Sequence, residues 1–294
     1  MKKIKIFIDS GCDISDTTLN YYNQLIYPHE VNILYTGISI QDTDYESDPS
    51  WVKSPESIFF DHINHGGFVD LFQPSLFIWK DSFEKALKNS FDILYLSLSK
   101  EYAGGFKQST IIKNLLGVSF PGSTIEVVDS MNASAGLKLI ALKILDDLSN
   151  RNLTPENLSE YALNIKNNLI SKVKTFWVCE SLKYIMYTGR SSDNILGQTP
   201  QGSPLMVSKE DGTFGIDSLN TSKEASLESL LLQIPKGSNI EFSYSPDYST
   251  EELFNILYLI SSQGCSILHE RSFMSPTAVA IAGPGSYSVG FIQN

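Results

Sequence analysis

The first half of the chain alternates short β-rich apolar segments with amphipathic helical segments. KIKIFID (3–9) has the composition of a buried strand, and similar segments at 92–98 and 123–129 predict two further strands. Such alternation is typical of a parallel sheet with helices on both faces. The other elements predicted in this half are helices at 15–25, 54–64, 75–89, 105–116 and 132–150 and a β-rich segment, broken by Gly37, at 30–40.

The pattern changes after the polar connection NRNLTPENLS (150–159). SPLMVSK and TFGIDSL are β-rich and are separated by EDG, which predicts a hairpin. Hairpins mixed with helices are typical of an α+β domain, and 294 residues are enough for two cores. We therefore predict an N-terminal α/β/α domain with a mainly parallel sheet over residues 1–155 and a smaller C-terminal α+β domain over 156–294. The further elements predicted in the second half are strands at 172–179 and 239–244, helices near 222–233 and 249–262, and β-rich segments at 264–270 and 277–282.

The net charge of the chain is −11. This charge argues against a nucleic-acid partner, because phosphate contacts require a basic surface. No apolar segment approaches the roughly 18 residues of a membrane span, and the apolar run near the N-terminus is too short for a signal peptide. We therefore expect a cytoplasmic protein without stable membrane insertion.

Patterns typical of metal, cofactor or catalytic sites do not occur in the sequence. Cys12, Cys179 and Cys265 form no CxxC pair, and the four histidines show no metal-ligand spacing. There is neither a P-loop nor a dinucleotide-binding fingerprint. No pair of acidic residues has the spacing of a catalytic pair. We therefore expect no cofactor, no metal and no catalytic residue.

The loops that follow three of the predicted strands are small and polar. They read DSGCD (9–13), SKEYAGG (99–105) and DSMNAS (129–134). Ligands of doubly wound sheets bind beyond the carboxyl ends of the strands, so these loops are expected to share one rim. The backbone N–H groups at 104–106 open the next helix and can hold an anion there.

Six segments together resemble the DegV family of bacterial lipid-binding proteins, in the order and spacing of that family. IDSGCDI (8–14) is similar to its N-terminal Asp-Ser-x-x-Asp-Leu, and QPS (73–75) to the end of its Thr-Ser-Gln-Pro-Ser motif. SKEYAGGF (99–106) is similar to the segment that ends Ser-Gly-Thr-Tyr in the family. The remaining three segments are VVDSMNASAG (127–136), YTGRSS (187–192) and GPGS (283–286).

The resemblance implies a non-catalytic lipid-binding protein that holds a long-chain fatty acid between two domains. In some family members the bound acid is presented to the separate catalytic subunit of a fatty acid kinase. A basic residue linked to that docking falls at Asn220 here, which places the kinase contact in question. Carried over onto this sequence, the ligand-binding residues are Asp9, Ser10, Leu71, Phe72, Gln73, Ala103, Gly104, Gly105, Phe106, Arg190, Ile281, Gly283 and Gly285.

The sequence departs from the family pattern where the carboxylate is normally held. Apolar or small residues replace four hydroxyl-bearing side chains and one histidine of the family. Head-group capture is therefore expected to depend on the backbone N–H groups at 104–106 and on Arg190. The replacing residues are Leu71, Phe72, Ala103, Gly105 and Ile281.

Three alternatives remain open from the sequence. The chain can be a degenerate family member that binds a different small ligand, or an interaction module. It can also be an enzyme component that uses the anion-binding loop and Arg190. The missing general base and phosphate loop favour a carrier. Simpler structural interpretations also exist, since Asp9 and Ser10 can cap a loop, GPGS can be a tight turn, and Arg190 can be a surface residue.

Overall fold

The structure is a computed structural model that describes residues 2–102, 105–188 and 202–293. The strands are β1 (Lys3–Asp9), β2 (Glu30–Leu34), β3 (Gly37–Ile40), β4 (Thr43–Glu46), β5 (Asp70–Phe72), β6 (Phe91–Ser97), β7 (Ile125–Asp129), β8 (Val173–Val178), β9 (Ser203–Ser208), β10 (Phe214–Asn220), β11 (Asn239–Tyr244), β12 (Ser266–Ile267), β13 (Ser272–Phe273) and β14 (Tyr287–Ile292). The helices are α1 (Asp16–Leu25), α2 (Glu56–Asn64), α3 (Leu76–Lys88), α4 (Gly105–Ser119), α5 (Ser134–Ser149), α6 (Leu158–Asn168), α7 (Leu182–Thr188), α8 (Lys223–Gln233), α9 (Thr250–Ser262) and α10 (Pro276–Ala282).

The N-terminal half contains a parallel sheet with strand order β2-β1-β6-β7. Ile6 of β1 lies between Val31 of β2 and Leu94 of β6, and every residue of β6 is buried. A strand buried on both faces reads as a continuous apolar run, which is why the sequence predicts it well. The mainly parallel sheet is confirmed.

The C-terminal half contains a separate mixed sheet with strand order β10-β9-β8-β14-β11-β12, and β13 also pairs with β11. Its central pairs are antiparallel, while β12 and β13 run parallel to β11. The predicted hairpin is present as β9 and β10, with Val207 opposite Gly215. A third, small sheet, formed by strands of the N-terminal half, has the order β4-β3-β5. The two-part α/β architecture is confirmed.

The expected β-rich segment at 277–282 is wrong, because these residues form helix α10. Ser275 caps this helix by accepting a hydrogen bond from the Ala278 N–H. Pro276 occupies the first turn, where a backbone N–H has no partner within the helix, so the N–H that proline lacks is not missed. All seven residues of α10 are buried, so no polar face reveals the helical period. The sequence reasoning also missed β14, where Gly290 lowers the strand propensity.

Helix α5 lies at the centre of the molecule, and thirteen of its sixteen residues are buried. A Cβ atom on Gly290 of β14 would lie 2.7 Å from the Gly136 nitrogen, so the helix and the mixed sheet approach at backbone distance. The same hydrophobic cluster contains Ile6 of the parallel sheet, Leu137 of α5 and Trp177 of the mixed sheet. Since α5 packs on the sheet of the second half, the domain boundary after residue 155 stays a prediction.

None of the helices in the described ranges is long and apolar enough to cross a membrane.

Candidate functional site: a cleft at the edge of the parallel sheet

In the parallel sheet, β2 lies on one side of β1, whereas β6 and β7 lie on the other side. The direction in which successive strands are added to the sheet therefore reverses between β1 and β6. The Ser99 N–H donates to the Asn132 carbonyl at 3.0 Å, and the Ser130 N–H donates to the Ser97 carbonyl at 3.2 Å. The loops after β6 and β7 are therefore joined, next to the loop after β1. Such a reversal leaves a crevice at the carboxyl edge of the sheet.

Asp9 ends β1 at this crevice and is 1% exposed. Its carboxylate accepts hydrogen bonds from the Gly11 N–H at 3.0 Å and from the Tyr95 hydroxyl at 3.4 Å. Burial raises the pKa of the Asp9 carboxyl to about 6, although these hydrogen bonds and one from the Leu98 N–H lower it. Burial of Asp9 thus favours the protonated form of its carboxyl group.

Gly105 starts α4 against this acid. A Cβ atom there would lie 2.9 Å from the Tyr95 hydroxyl oxygen and 3.1 Å from Oε1 of Gln73. A larger residue would displace both side chains, so the site requires glycine for close approach. Oε1 of Gln73 is buried and has no hydrogen-bond partner among the residues that the structure describes.

Four hydroxyl groups form a buried chain beside Asp9. The hydroxyl oxygens of Ser10 and Thr36 lie 2.9 Å apart, and those of Thr36 and Thr277 lie 3.2 Å apart. The Thr277 hydroxyl donates to Ser47 Oγ at 2.7 Å. The chain connects the loop after β1 with α10, so it joins the two halves of the molecule. Sequence reasoning identified only Ser10 of these four residues, because the others belong to no motif and come from distant segments.

A cleft of about 270 Å³ opens next to this hydroxyl chain, and we call it the switch-point cleft. It brings together four of the residues that the sequence predicted, three of which are apolar replacements in the family motifs. Asp9, Ser10 and Gly105 lie behind its wall. The residues that line it are Thr36, Gly37, Leu71, Phe72, Gln73, Leu98, Lys100, Glu101, Tyr102, Thr277 and Ile281.

The hairpin of the mixed sheet covers one side of the loop after β6. The Ser99 hydroxyl donates to the Gly212 carbonyl at 2.7 Å. The Tyr102 hydroxyl accepts a hydrogen bond from the Phe214 N–H, and the two aromatic rings meet edge to face at 5.1 Å. The cleft is therefore built from both halves of the chain.

The charged groups at the cleft are of mixed sign. Lys100 Nζ lies 4.0 Å from the Glu101 carboxylate and 3.9 Å from the Asp129 carboxylate. Burial raises the pKa of Asp129 above its ordinary value. The one cation among the lining residues is thus shared with two carboxylates, and the described lining offers no isolated positive charge for an anion.

Other predicted site residues lie elsewhere. Gly283 and Gly285 form the turn between α10 and β14, with φ angles of 91° and 62°. Gly285 accepts the Tyr248 hydroxyl at 2.6 Å, and neither glycine lines the described part of the cleft. Phe106 lies in the first turn of α4, where its carbonyl accepts the Thr110 hydroxyl. Ala103, Gly104 and Arg190 lie outside the described residues.

No group of three or more His, Cys, Asp or Glu side chains that could hold a metal ion occurs in ranges 2–102, 105–188 and 202–293.

Known proteins resemble this chain over nearly its whole length. A DegV domain-containing protein of Clostridium perfringens is 26% identical over 283 residues, covering 91% of this chain and 94% of the relative. The crystal structure of a stearic acid-binding protein from Eubacterium ventriosum has a TM-score of 0.84 at 19% identity, covering 99% of this chain and 98% of that one. The fatty acid kinase B3 protein of Streptococcus pneumoniae, loaded with linoleic acid, has a TM-score of 0.79 at 17% identity, with both chains fully covered. The family model described as "Uncharacterised protein, DegV family" matches residues 3–294, and the chain belongs to the DegV family.

Proposed function

We propose that this chain binds a long-chain fatty acid in the switch-point cleft and makes or breaks no bond itself. Relatives of the same fold hold stearic and linoleic acids. The observation that carries the proposal for this chain is the composition of the cleft wall. The apolar side chains of Leu71, Leu98 and Ile281 line the same cleft as Thr36 and Thr277. An amphipathic ligand with a small polar head matches such a wall.

The carboxylate of the ligand is proposed to accept hydrogen bonds from Thr36 and Thr277. Leu71 and Ile281 cannot donate, although they occupy positions that bind the head group in the family pattern. A hydroxyl hydrogen rotates to suit its partner, so Thr277 can turn its hydrogen from Ser47 Oγ toward an incoming carboxylate, and Thr36 can turn its own from the hydroxyl chain. Each hydrogen bond to a charged group contributes about 1.5–3 kcal/mol. The two threonines therefore replace part of the lost head-group chemistry.

The backbone N–H groups at 104–106 and the Arg190 side chain remain proposed head-group donors on the basis of the sequence. Oε1 of Gln73 supports a polar ligand group at the start of α4, because it is a buried acceptor without a described partner. A protonated carboxylic acid can donate to such an oxygen. Asp9, Ser10 and Gly105 are proposed to shape the site from behind the wall.

Presentation of the acid to a fatty acid kinase is a finer proposal, supported by the fold shared with the pneumococcal kinase B3 protein. Asn220 ends β10 and donates to the hydroxyl groups of Ser218 and Ser226 at 3.0 and 3.1 Å. It thus makes local hydrogen bonds where other members carry a basic residue. A cytoplasmic location is proposed from the sequence alone.

Titration of the purified chain with a fluorescent fatty acid and with the matching alcohol tests the proposal. We expect the acid to bind with a Kd below about 100 μM, which corresponds to about −5.5 kcal/mol, and more tightly than the alcohol. Binding of neither compound below that concentration would overturn it. Equal affinity for both compounds would overturn the proposed capture of the carboxylate.

A further inference from the structure

A second cleft of about 330 Å³ adjoins the switch-point cleft. Strands β2 to β4 and the start of α3 form its wall, with Ile33, Leu34, Pro74 and Ile78 on the apolar side and Asp44 and Glu46 of β4 on the other. We call it the strand cleft. The two clefts share three lining residues, which are Thr36, Gly37 and Phe72.

The Phe72 ring forms the partition between these clefts. Phe72 of β5 pairs with Gly37 of β3, and a Cβ atom on Gly37 would lie 2.1 Å from two carbons of the ring. The ring therefore lies directly on the glycine backbone. The φ angle of Gly37 is outside the left-handed region, so the backbone conformation itself does not require glycine here. Gly37 serves to seat the ring.

Phe72 is also the shared residue whose side chain is able to move. Thr36 is held by hydrogen bonds to Ser10 and Thr277, and Gly37 has no side chain. Phe72 is 40% exposed, so a change of its rotamer costs fewer packing contacts than the same change of a fully buried side chain. Rotamer changes of exposed side chains occur in picoseconds to nanoseconds.

We propose that Phe72 is the gate that sets ligand length, an inference that rests on the proposed function. The switch-point cleft alone, at about 270 Å³, lies below the range of roughly 300–1,000 Å³ that is typical of pockets for drug-sized ligands. The two clefts joined lie well within that range. When the ring leaves Gly37, the acyl chain of a long ligand passes from the threonine hydroxyls into the strand cleft, along the apolar side chains of Leu34, Pro74 and Ile78. A short chain fits without this movement.

Affinities of octanoic and stearic acid, measured on the full chain, test the gate. The apparent affinity of a ligand that needs the open state is the intrinsic affinity multiplied by the fraction of molecules that are open. Phe72→Ala removes this penalty for stearic acid only, and we expect it to raise the ratio of the octanoic Kd to the stearic Kd about tenfold. Phe77→Ala is the matched control, because Phe77 is 75% exposed on α3 and lines neither cleft. An unchanged ratio in Phe72→Ala would overturn the gate.

Gly37→Ala tests the ring contact without a ligand. The added methyl group occupies the position of the ring, so it should lower the Tm in the natural background and have little effect when Phe72→Ala is also present. It should also raise the octanoic-to-stearic ratio by itself. An equal loss of Tm in both backgrounds would overturn the gate, whether or not fatty acids bind. If the coupling is present but no acid binds to any variant, the proposed function is wrong, and the ring contact controls no ligand.

Discussion

The hydroxyl oxygens of Thr36 and Thr277 lie 3.2 Å apart at the wall of the switch-point cleft. One residue connects β2 with β3, and the other belongs to α10, so this contact joins segments 241 positions apart in the chain. Both residues are buried, with exposures of 3% and 7%. The hydroxyl pair therefore fixes α10 against the parallel sheet, and we propose that the same two hydroxyl groups turn toward the head group of a ligand.

Thr277→Val tests this double role. Valine keeps the shape but removes the hydroxyl, which leaves Thr36 and Ser47 each without one partner. We expect the free energy of unfolding to fall by about 1–3 kcal/mol, measured by urea denaturation. We also expect affinity for a fatty acid to fall about tenfold more than affinity for the matching alcohol, since a charged acceptor loses more.

Thr277→Ser is the control, because it keeps the hydroxyl and removes only a methyl group. It should retain the preference for the acid over the alcohol. If serine and valine change that preference equally, the hydroxyl of Thr277 does not contact the head group.

Leu71→Thr should restore a hydrogen-bond donor to the cleft. Leu71 lines the cleft and lies on β5 opposite Ile38. One new hydrogen bond to a carboxylate contributes about 1.5–3 kcal/mol, so acid affinity should rise about tenfold to a hundredfold in a calorimetric titration. Adding Ala103→Ser should give less than the sum of the two gains, because both hydroxyls would share one ligand group.

Leu71→Val is the control, because valine has nearly the shape of threonine but no hydroxyl. It separates the effect of the hydroxyl from the effect of a smaller side chain. It should not tighten binding of the acid. Equal affinities of the threonine and valine variants would mean that the head group lies elsewhere.

Asp9→Asn should change the dependence of stability on pH. Burial raises the pKa of Asp9 from 3.8 to about 6 in the folded chain, so folding favours the protonated acid. The associated stability is fully present below the unfolded pKa and is lost as the pH rises through about 6. Asparagine does not titrate, so the variant does not lose stability between pH 3.8 and about 6. Across that pH range the free energy of unfolding of the variant, relative to that of the natural chain, should rise by about 2–3 kcal/mol.

Asp211→Asn provides a control of opposite sign. Hydrogen bonds from the Thr213 side chain and backbone lower the pKa of Asp211, so its contribution is present above the unfolded pKa and is lost on acidification. Urea denaturation over a pH series compares the two variants. The same slope for both would contradict the buried, largely desolvated state of Asp9.

Lys138→Met should be strongly destabilising. Lys138 of α5 and Glu241 of β11 form an ion pair at 3.1 Å, with side-chain exposures of 1% and 0%. Removing Lys138 leaves the buried Glu241 carboxylate with His269 as its charge partner, and breaking such a buried pair lowers the free energy of unfolding by about 3 kcal/mol. Lys85→Met breaks the exposed pair with Asp81 and should cost less than about 1 kcal/mol. Equal losses for both lysine variants in urea denaturation would contradict a tight junction between α5 and the mixed sheet.

The sequence predicts the parallel sheet and the hairpin because their patterns are local. Strand β6 is an apolar run between helices, and EDG marks the turn of the hairpin. Helix α10 and strand β14 could not be predicted in the same way. All residues of α10 are buried, so the helix has no polar face that would reveal its period. In β14, Gly290 is needed because α5 packs against it at backbone distance, although glycine has a low strand propensity.

The candidate site shows the same division. Leu71 and Ile281, which the family resemblance selects as ligand-binding residues, line one cleft, and their role in binding stays a prediction. Thr36 and Thr277 belong to no motif, and only folding brings them together. The role of Gly37 is likewise visible only from the ring of Phe72 that lies on it.

The central claim is tested most directly by mass spectrometry. The protein is purified without added lipid and denatured, and the released molecules are identified. A fatty acid binding site between the two halves predicts release of a long-chain fatty acid at about one molecule per chain. Release of no lipid, or of a small molecule without an acyl chain, would contradict it.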